Sequence, residues 1–258
     1  MTVVLPALNR SDFQKNPDFA RVWPKAVAEW QRQGSPVSLL SSPAHAIALM
    51  AYTMNDLYQK FNAVVHVAGR SPQEYRDNFH FKTLHFLLTD ALATLRNAQK
   101  RQCHCVYRGV KGSQFKARRG QRVRFGQFTS TSVCELVAYG LGMDTVFKVN
   151  TCYGVDIQNF SKYPREKEVL VPPFETFEVT KVTQKGNTEK IELRFTGTSS
   201  KYNCEWLKGD TTGDSLGVTV VTAATMATKV TVATTATLAM VVTLTTKATV
   251  TTIITKTP

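Results

Sequence analysis

The sequence lacks the patterns that mark several common classes of protein. None of its five cysteines forms a C-x-x-C pair, and its five histidines show no spacing suited to a zinc site. No G-x-G-x-x-G motif follows a predicted strand, so a Rossmann-type dinucleotide site is not indicated. The first residues contain neither a basic region nor the apolar run of roughly 7–15 residues that a signal peptide needs. We therefore expect no metal site and no Rossmann domain, and we find no encoded secretion signal.

Acidic residues are also scarce, with 19 Asp and Glu against 32 Lys and Arg and a formal net charge of +13. The densest basic cluster runs from Lys116 to Arg119 and continues at Arg122 and Arg124. Such a surplus is compatible with a nucleic-acid or anionic membrane partner, but no nucleic-acid-binding motif surrounds the cluster. A pyrophosphate ligand would also be attracted by local positive charge. We predict that the chain binds no nucleic acid.

Apolar residues recur at helical spacing over most of the first hundred positions. The spacing predicts a helix over 11–33 that Pro24 breaks, a buried helix over 44–54 capped by Ser42, and helices over 56–67 and 79–95. Beyond residue 101, short runs of β-branched and aromatic residues predict strands, interrupted by one helix over 134–141. The predicted strands cover residues 103–107, 122–128, 144–150, 169–171, 176–183 and 188–196. Helices followed by strands predict an α+β domain with a mainly antiparallel β-core.

The C-terminal segment, residues 211–258, consists mainly of Thr, Val and Ala. Threonine recurs at every third position over much of it, a period that fits neither a strand nor an α-helix. We interpret the segment as a Thr-rich low-complexity tail with no core to join, and we predict that it is disordered. A degenerate lipid-anchor signal would also be hydrophobic and C-terminal, but the lysines Lys229, Lys247 and Lys256 argue against it.

Three short motifs follow one another in the strand-rich part of the chain. They are Tyr107-Arg108-Gly109, Phe128-Thr129-Ser130-Thr131-Ser132 and Glu166-Lys167-Glu168. By itself, a Glu-Lys-Glu triplet is most often a solvated charge run. After an arginine and a serine on predicted strands, it becomes a candidate catalytic pair. We predict that the two carboxylates point in opposite directions, one toward a bound ligand and the other toward an incoming partner.

In this order the motifs resemble those of the arginine-specific mono-ADP-ribosyltransferases, particularly the avian members among the vertebrate ecto-enzymes. The resemblance extends from about Phe13 to Leu207. It implies an NAD-binding catalytic domain over residues 13–210, in which two packed sheets clasp NAD. It also implies that residues 1–12 are a truncated N-terminal segment.

The resemblance bears on the cysteines as well. It implies a disulfide between Cys103 and Cys152, and it pairs Cys204 with a cysteine near the family's N-terminus that this chain does not contain. Cys105 and Cys134 have no counterpart in the family pattern. We therefore expect up to three free thiols, which is unusual for a protein of an oxidising compartment.

The resemblance also implies a role for each motif residue. Glu168 is expected to stabilise the positive charge that develops on the ribose as nicotinamide leaves, acting through the 2′-hydroxyl. Glu166 is expected to orient the acceptor guanidinium and take a proton from it. Arg108 is expected to hold a phosphate of NAD, and Ser130 is expected to hydrogen-bond Glu168 and orient it.

The loop before the Glu-Lys-Glu motif is implied to recognise the acceptor. Its candidate contacts are Phe160, Tyr163 and Arg165, with Tyr163 exposed in a turn ahead of Pro164, and Glu166 completes the set.

The function implied is transfer of ADP-ribose from NAD, or NADP, to arginine side chains of proteins by a monomeric enzyme. An NAD glycohydrolase, in which water replaces the guanidine, is a second hypothesis that Glu166 argues against. A third hypothesis is a non-catalytic remnant of the same fold, and a fourth is a basic nucleic-acid-binding protein. The resemblance implies an extracellular or cell-surface location.

Overall fold

The computed structural model describes residues 5–200 and 251–252. Within these residues, six α-helices precede the first strand and a seventh lies between strands. Their bounds are α1 Leu5–Lys15, α2 Pro17–Arg32, α3 Pro43–Thr53, α4 Tyr58–Ala68, α5 Pro72–Asp77, α6 Lys82–Ala98 and α7 Glu135–Leu141. Two 3₁₀ helices, Gln158–Phe160 and Pro164–Glu166, lie just before the sixth strand. The predicted helical block is confirmed.

The first two helices meet at Asn16 and not at Pro24. The Asn16 side chain accepts a hydrogen bond of 3.1 Å from the backbone N–H of Phe19, and Pro17 occupies the first turn, where its missing N–H costs nothing. Pro24 lies inside α2, so the prediction that it breaks the helix is wrong. Four buried side chains, among them Phe19 and Trp30, hold α2 against the core. Their burial offsets the hydrogen bond that Pro24 removes.

The strands form one continuous sheet in the order β5-β6-β3-β1-β4-β8-β7-β2-β9. Their bounds are β1 His104–Val110, β2 Arg122–Arg124, β3 Thr129–Ser132, β4 Thr145–Thr151, β5 Val155–Asp156, β6 Glu168–Val171, β7 Glu175–Lys185, β8 Thr188–Thr198 and β9 Thr251–Thr252. Only the β4–β8 and β2–β9 ladders are parallel among the described strands. The mainly antiparallel α+β prediction is confirmed.

The expectation of two separate sheets is wrong. The parallel β4–β8 ladder joins the strands β5-β6-β3-β1-β4 to the strands β8-β7-β2-β9 in one sheet. Its register runs from Thr145 opposite Glu189 to Asn150 opposite Arg194. A single apolar cluster nevertheless contains Val123 of β2 and Val171 of β6, which lie near opposite ends of the strand order. The sheet therefore curls around this cluster and encloses its own core.

The predicted disulfide joins Cys103, just before β1, to Cys152, just after β4. Cys105 and Cys134 are free thiols, whereas Cys204 lies outside the described residues. In the tail, only the two residues of β9 are described, and they pair with β2. The prediction of a disordered tail otherwise concerns residues outside the described ranges. Over the part of the chain that the structure describes, we find no helix both long and apolar enough to cross a membrane.

Candidate active site

A cavity of about 390 Å³ opens where the helical block meets strands β1, β3 and β6. All four predicted catalytic residues, Arg108, Ser130, Glu166 and Glu168, line it together with Tyr163 of the predicted acceptor loop. The other lining residues are Tyr52, Thr53, Asn55, Tyr58, Asn62, Gly109, Val110, Lys111, Phe128 and Leu141. The fold thus brings together three motifs that lie far apart in the sequence.

Strand pairing explains this convergence. Tyr107 of β1 lies opposite Ser132 of β3, and Ser132 lies opposite Glu168 of β6, so the three motifs occupy three neighbouring strands. The Arg108 Nη1 donates a hydrogen bond of 2.8 Å to the backbone carbonyl of Ser130, which holds the guanidinium at the cavity wall. Burial lowers the pKa of Arg108, since an apolar environment disfavours its charged form.

The Glu168 side chain is 5% exposed. Its Oε2 accepts a hydrogen bond of 3.1 Å from the Ser161 hydroxyl. Burial raises the pKa of Glu168 to about 7, and the nearby Glu166 carboxylate adds to the rise, while hydrogen bonds from Ser130 and Ser161 and the Arg108 charge oppose it. A carboxyl with this pKa changes charge near neutral pH.

Glu166 lies in the 3₁₀ helix Pro164–Glu166 and not on the strand that Glu168 begins. Its backbone carbonyl accepts a hydrogen bond of 2.6 Å from the Ser132 hydroxyl. Between the two glutamates, Lys167 takes a left-handed conformation with φ of 48°, which turns the chain from the helix into the strand. Burial raises the pKa of the Glu166 carboxyl as well.

The expectation that the two carboxylates point in opposite directions is wrong, because Glu166 and Glu168 line the same cavity. In a regular strand, residues two apart already share a face. Here the turn at Lys167 produces the same convergence by a different route. One cavity can therefore hold a ligand and an acceptor group side by side, with a carboxylate near each.

The predicted acceptor loop divides into a buried and an exposed part. Phe160 is 4% exposed and packs in the apolar cluster of the helical block, so its side chain supports the loop from inside and cannot meet an acceptor. Tyr163 is 38% exposed, lines the cavity, and accepts a hydrogen bond of 3.3 Å from the Asn55 side chain. Arg165 is exposed but is not among the cavity-lining residues.

Sequence reasoning missed three side chains that build the site. Ser161, which donates a hydrogen bond to Glu168, is fully buried and lies in the loop before the Glu-Lys-Glu motif, where a serine has no distinctive sequence signal. Tyr52 donates a hydrogen bond of 3.0 Å to the Phe128 carbonyl and accepts one of 3.2 Å from Asn62. Burial raises the pKa of Tyr52 to about 12. In the sequence, Tyr52 and Asn62 appear only as members of core helices, so no local signal marks them.

Comparison with known proteins agrees with this geometry. The NAD:arginine ADP-ribosyltransferase family matches residues 1–201. A Gallus gallus erythroblast NAD(P)(+)–arginine ADP-ribosyltransferase is 49% identical over 211 residues, which cover 81% of this chain and 70% of the relative. A second Gallus gallus NAD(P)(+)–arginine ADP-ribosyltransferase is 51% identical over 209 residues, covering 79% and 66%. A Mus musculus GPI-linked relative of the same description is 46% identical over 220 residues, covering 81% and 68%.

Solved structures give the same result. The crystal structure of the eukaryotic mono-ADP-ribosyltransferase ART2.2 is 36% identical, covers 79% of this chain and 89% of its own, and superposes with a TM-score of 0.67. A mutant of that enzyme in complex with NAD is 34% identical over the same shares, with a TM-score of 0.67. The chain therefore belongs to the NAD:arginine ADP-ribosyltransferase family.

Proposed function

We propose that this protein transfers ADP-ribose from NAD to arginine side chains of proteins and releases nicotinamide. The observation that carries the proposal is the presence of Glu166 and Glu168 in one cavity with Arg108 and Ser130. The names of the avian relatives support the same activity with NAD or NADP as the donor. NAD is a substrate here, since part of it leaves as product and part joins the acceptor.

Glu168 stabilises the ribose as its bond to nicotinamide breaks. When the bond between ribose and nicotinamide breaks, its electron pair leaves with nicotinamide, so positive charge develops on the ribose. An ionised carboxylate at the ring stabilises that charge. The two hydroxyls of Ser130 and Ser161 fix the orientation of Glu168 and favour its ionised form. The cationic nicotinamide of bound NAD favours ionisation further, because opposite charges attract.

Glu166 orients the acceptor guanidinium and takes a proton from it. A guanidinium is always charged and is a poor nucleophile, so a neighbouring carboxylate must orient it and accept a proton as its nitrogen bonds to the ribose carbon. The raised pKa of Glu166 makes it a better proton acceptor than an exposed glutamate. Arg108, held by the Ser130 carbonyl, is placed to bind the negatively charged pyrophosphate of NAD.

The test measures two activities of the 258-residue chain with labelled NAD: transfer to agmatine, a small guanidine, and hydrolysis in its absence. Glu166→Gln should lower transfer about 100-fold while hydrolysis stays near its original rate, because water needs no guanidinium-orienting group. Glu178→Gln, which removes a carboxylate paired with Arg194 on β8, is the matched control and should change neither activity. A folded chain that labels no agmatine contradicts the proposal, and equal loss of both activities in Glu166→Gln contradicts the role of Glu166.

A cell-surface or extracellular location is part of the proposal. It is supported by relatives named as GPI-linked or ecto-enzymes. The disulfide between Cys103 and Cys152 is typical of an oxidising compartment. The monomeric state and the lack of a nucleic-acid partner stay predictions.

A further inference from the structure

Helix α7 packs against the sheet through Ala138, which is fully buried, while its polar side chains bond one another and the neighbouring strand. Tyr139 donates a hydrogen bond to Glu135, and Lys190 of β8 donates one of 3.5 Å to the same carboxylate. The backbone is clamped as well, because a Cβ atom added at Gly109 of β1 would lie 1.9 Å from the Ala138 carbonyl oxygen. The helix is therefore held close to β1 in one orientation.

The two leucines of the same helix are exposed to solvent. Leu136 is 77% exposed and Leu141 is 52% exposed, and the flanking residues Val133 and Met143 are 46% and 55% exposed. A helix on a globular protein usually does the reverse, with its apolar stripe against the core. Four of the seven large exposed apolar residues in the described ranges thus lie between positions 133 and 143. We call Val133, Leu136, Leu141 and Met143 the α7 surface.

The α7 surface is continuous with the active-site cavity. Leu141 belongs to both, because it also lines the cavity that holds Glu166 and Tyr163. A polypeptide that places an arginine beside Glu166 must leave the cavity over its rim. Exposed apolar residues grouped around the rim of a site are typical of a surface that binds another protein.

Charges of both signs lie at this rim, because Glu166 lines the cavity and Glu135 of α7 is 42% exposed. Lys111 lines the cavity, and Arg165 and Lys167 are exposed in the adjacent loop. These cations repel an arginine-bearing segment, so they disfavour acceptors with further basic residues beside the target. Burial of apolar side chains adds binding free energy at this rim that does not depend on these charges.

We propose that the α7 surface binds the acceptor polypeptide and selects arginines that have apolar neighbours. This inference rests on the proposed function and names the substrate class within it. Leu136 and Leu141 contact apolar side chains next to the target arginine, while Glu166 receives the guanidinium. Leu136 then acts as a specificity-determining residue that takes no part in the chemistry, since it does not line the cavity.

The test compares three acceptors with the full chain: agmatine, a peptide with one arginine between leucines, and a peptide of equal length and charge with serines in their place. We expect kcat/KM for the leucine peptide to exceed that for the serine peptide about tenfold, the value of partly burying one leucine. Leu136→Asp should remove this preference and leave agmatine transfer unchanged. Leu136→Met should keep the preference, because methionine retains the apolar area.

The control is Leu39→Asp, which places the same charge at another exposed leucine, 58% exposed and outside the α7 surface. It should leave the preference intact. Equal rates for the two peptides in the unchanged protein would overturn the inference, and so would a parallel loss of agmatine transfer in Leu136→Asp. Failure of the proposed function appears differently, as an absence of agmatine labelling by the unchanged protein.

Discussion

Two buried glutamates, Glu168 and Glu175, have the same raised pKa of about 7 in different surroundings. Burial is the largest cause in both. Glu175 is fully buried between strands, where its carboxylate accepts hydrogen bonds of 2.5 Å from the Thr151 hydroxyl and of 2.7 and 3.1 Å from the N–H groups of Cys152 and Tyr153. Glu168 lines the cavity beside a second carboxylate.

The comparison shows that a shifted pKa does not by itself identify a site. Glu175 uses its oxygens to hold the turn after β4, in which Cys152 closes the disulfide. Its position away from the cavity makes its role structural. Glu168 combines the same shift with access to a ligand and with the charge of Glu166, and these two features distinguish the candidate catalytic group.

The largest expected difference between the two glutamates is in activity. Glu168→Gln should lower both transfer and hydrolysis about 10³-fold, because the ribose loses its charge stabilisation. Glu175→Gln, the matched substitution, should leave turnover per folded molecule close to that of the unchanged protein. Nicotinamide release, normalised to the folded fraction from circular dichroism, measures both. Comparable losses in the two variants would remove the functional distinction.

The pH dependence of hydrolysis sharpens the comparison. Since Glu168 must be ionised, kcat/KM should rise about tenfold per pH unit up to a pH of about 7 and then level off. Glu166→Gln should move this midpoint to lower pH, because the charge that helps to raise the pKa of Glu168 is gone. Glu175→Gln should leave the midpoint in place. A midpoint that shifts in Glu175→Gln but not in Glu166→Gln would contradict the assignment of the midpoint to Glu168.

Replacing Glu175 should lower the stability of the protein more than replacing Glu168, the opposite of the order expected for activity. At pH 5, below the pKa of Glu175, Glu175→Ala leaves the partly buried N–H groups of Cys152 and Tyr153 without their acceptor and should lower the free energy of unfolding by about 3 kcal/mol. Glu192→Ala, which removes a half-exposed carboxylate 4.0 Å from Lys181, is the control and should cost less than about 0.5 kcal/mol. Urea denaturation measures both changes. A small loss of unfolding free energy in Glu175→Ala would show that water or other groups accept hydrogen bonds from the N–H groups of the turn.

The last effect concerns the cost of keeping Glu168 charged. Its folded-state pKa lies above the ordinary 4.5, so the folded state holds a proton that the unfolded state has released, and stability falls as pH rises from 4.5 through about 7. Glu168→Gln removes that loss and should raise the free energy of unfolding at pH 8 by about 3 kcal/mol, the value of the shift from 4.5 to about 7. At pH 5 the two proteins should be nearly equal. A difference that is the same at both pH values would contradict this explanation.

The parts of the site that the sequence predicted are those with a local signature. Arg108, Ser130 and Glu168 stand on or at the start of strands, and their order along the chain pointed to one site. Ser161 and Tyr52 could not be predicted, because one occurs in a loop and the other in a uniformly apolar helix. Their contacts with Glu168 and Phe128 depend on how those segments fold back over the sheet.

The sequence alone determined the helical block, the mainly antiparallel core and the three motifs, because apolar spacing and strand alternation are local properties of the chain. Only the tertiary structure decided that the strands form one curled sheet and that α7 turns its leucines outward. It also decided that Glu166 and Glu168 share a cavity. These outcomes depend on pairs that are distant in sequence, such as Gly109 with Ala138 and Ser132 with Glu166, whose contacts no local pattern encodes.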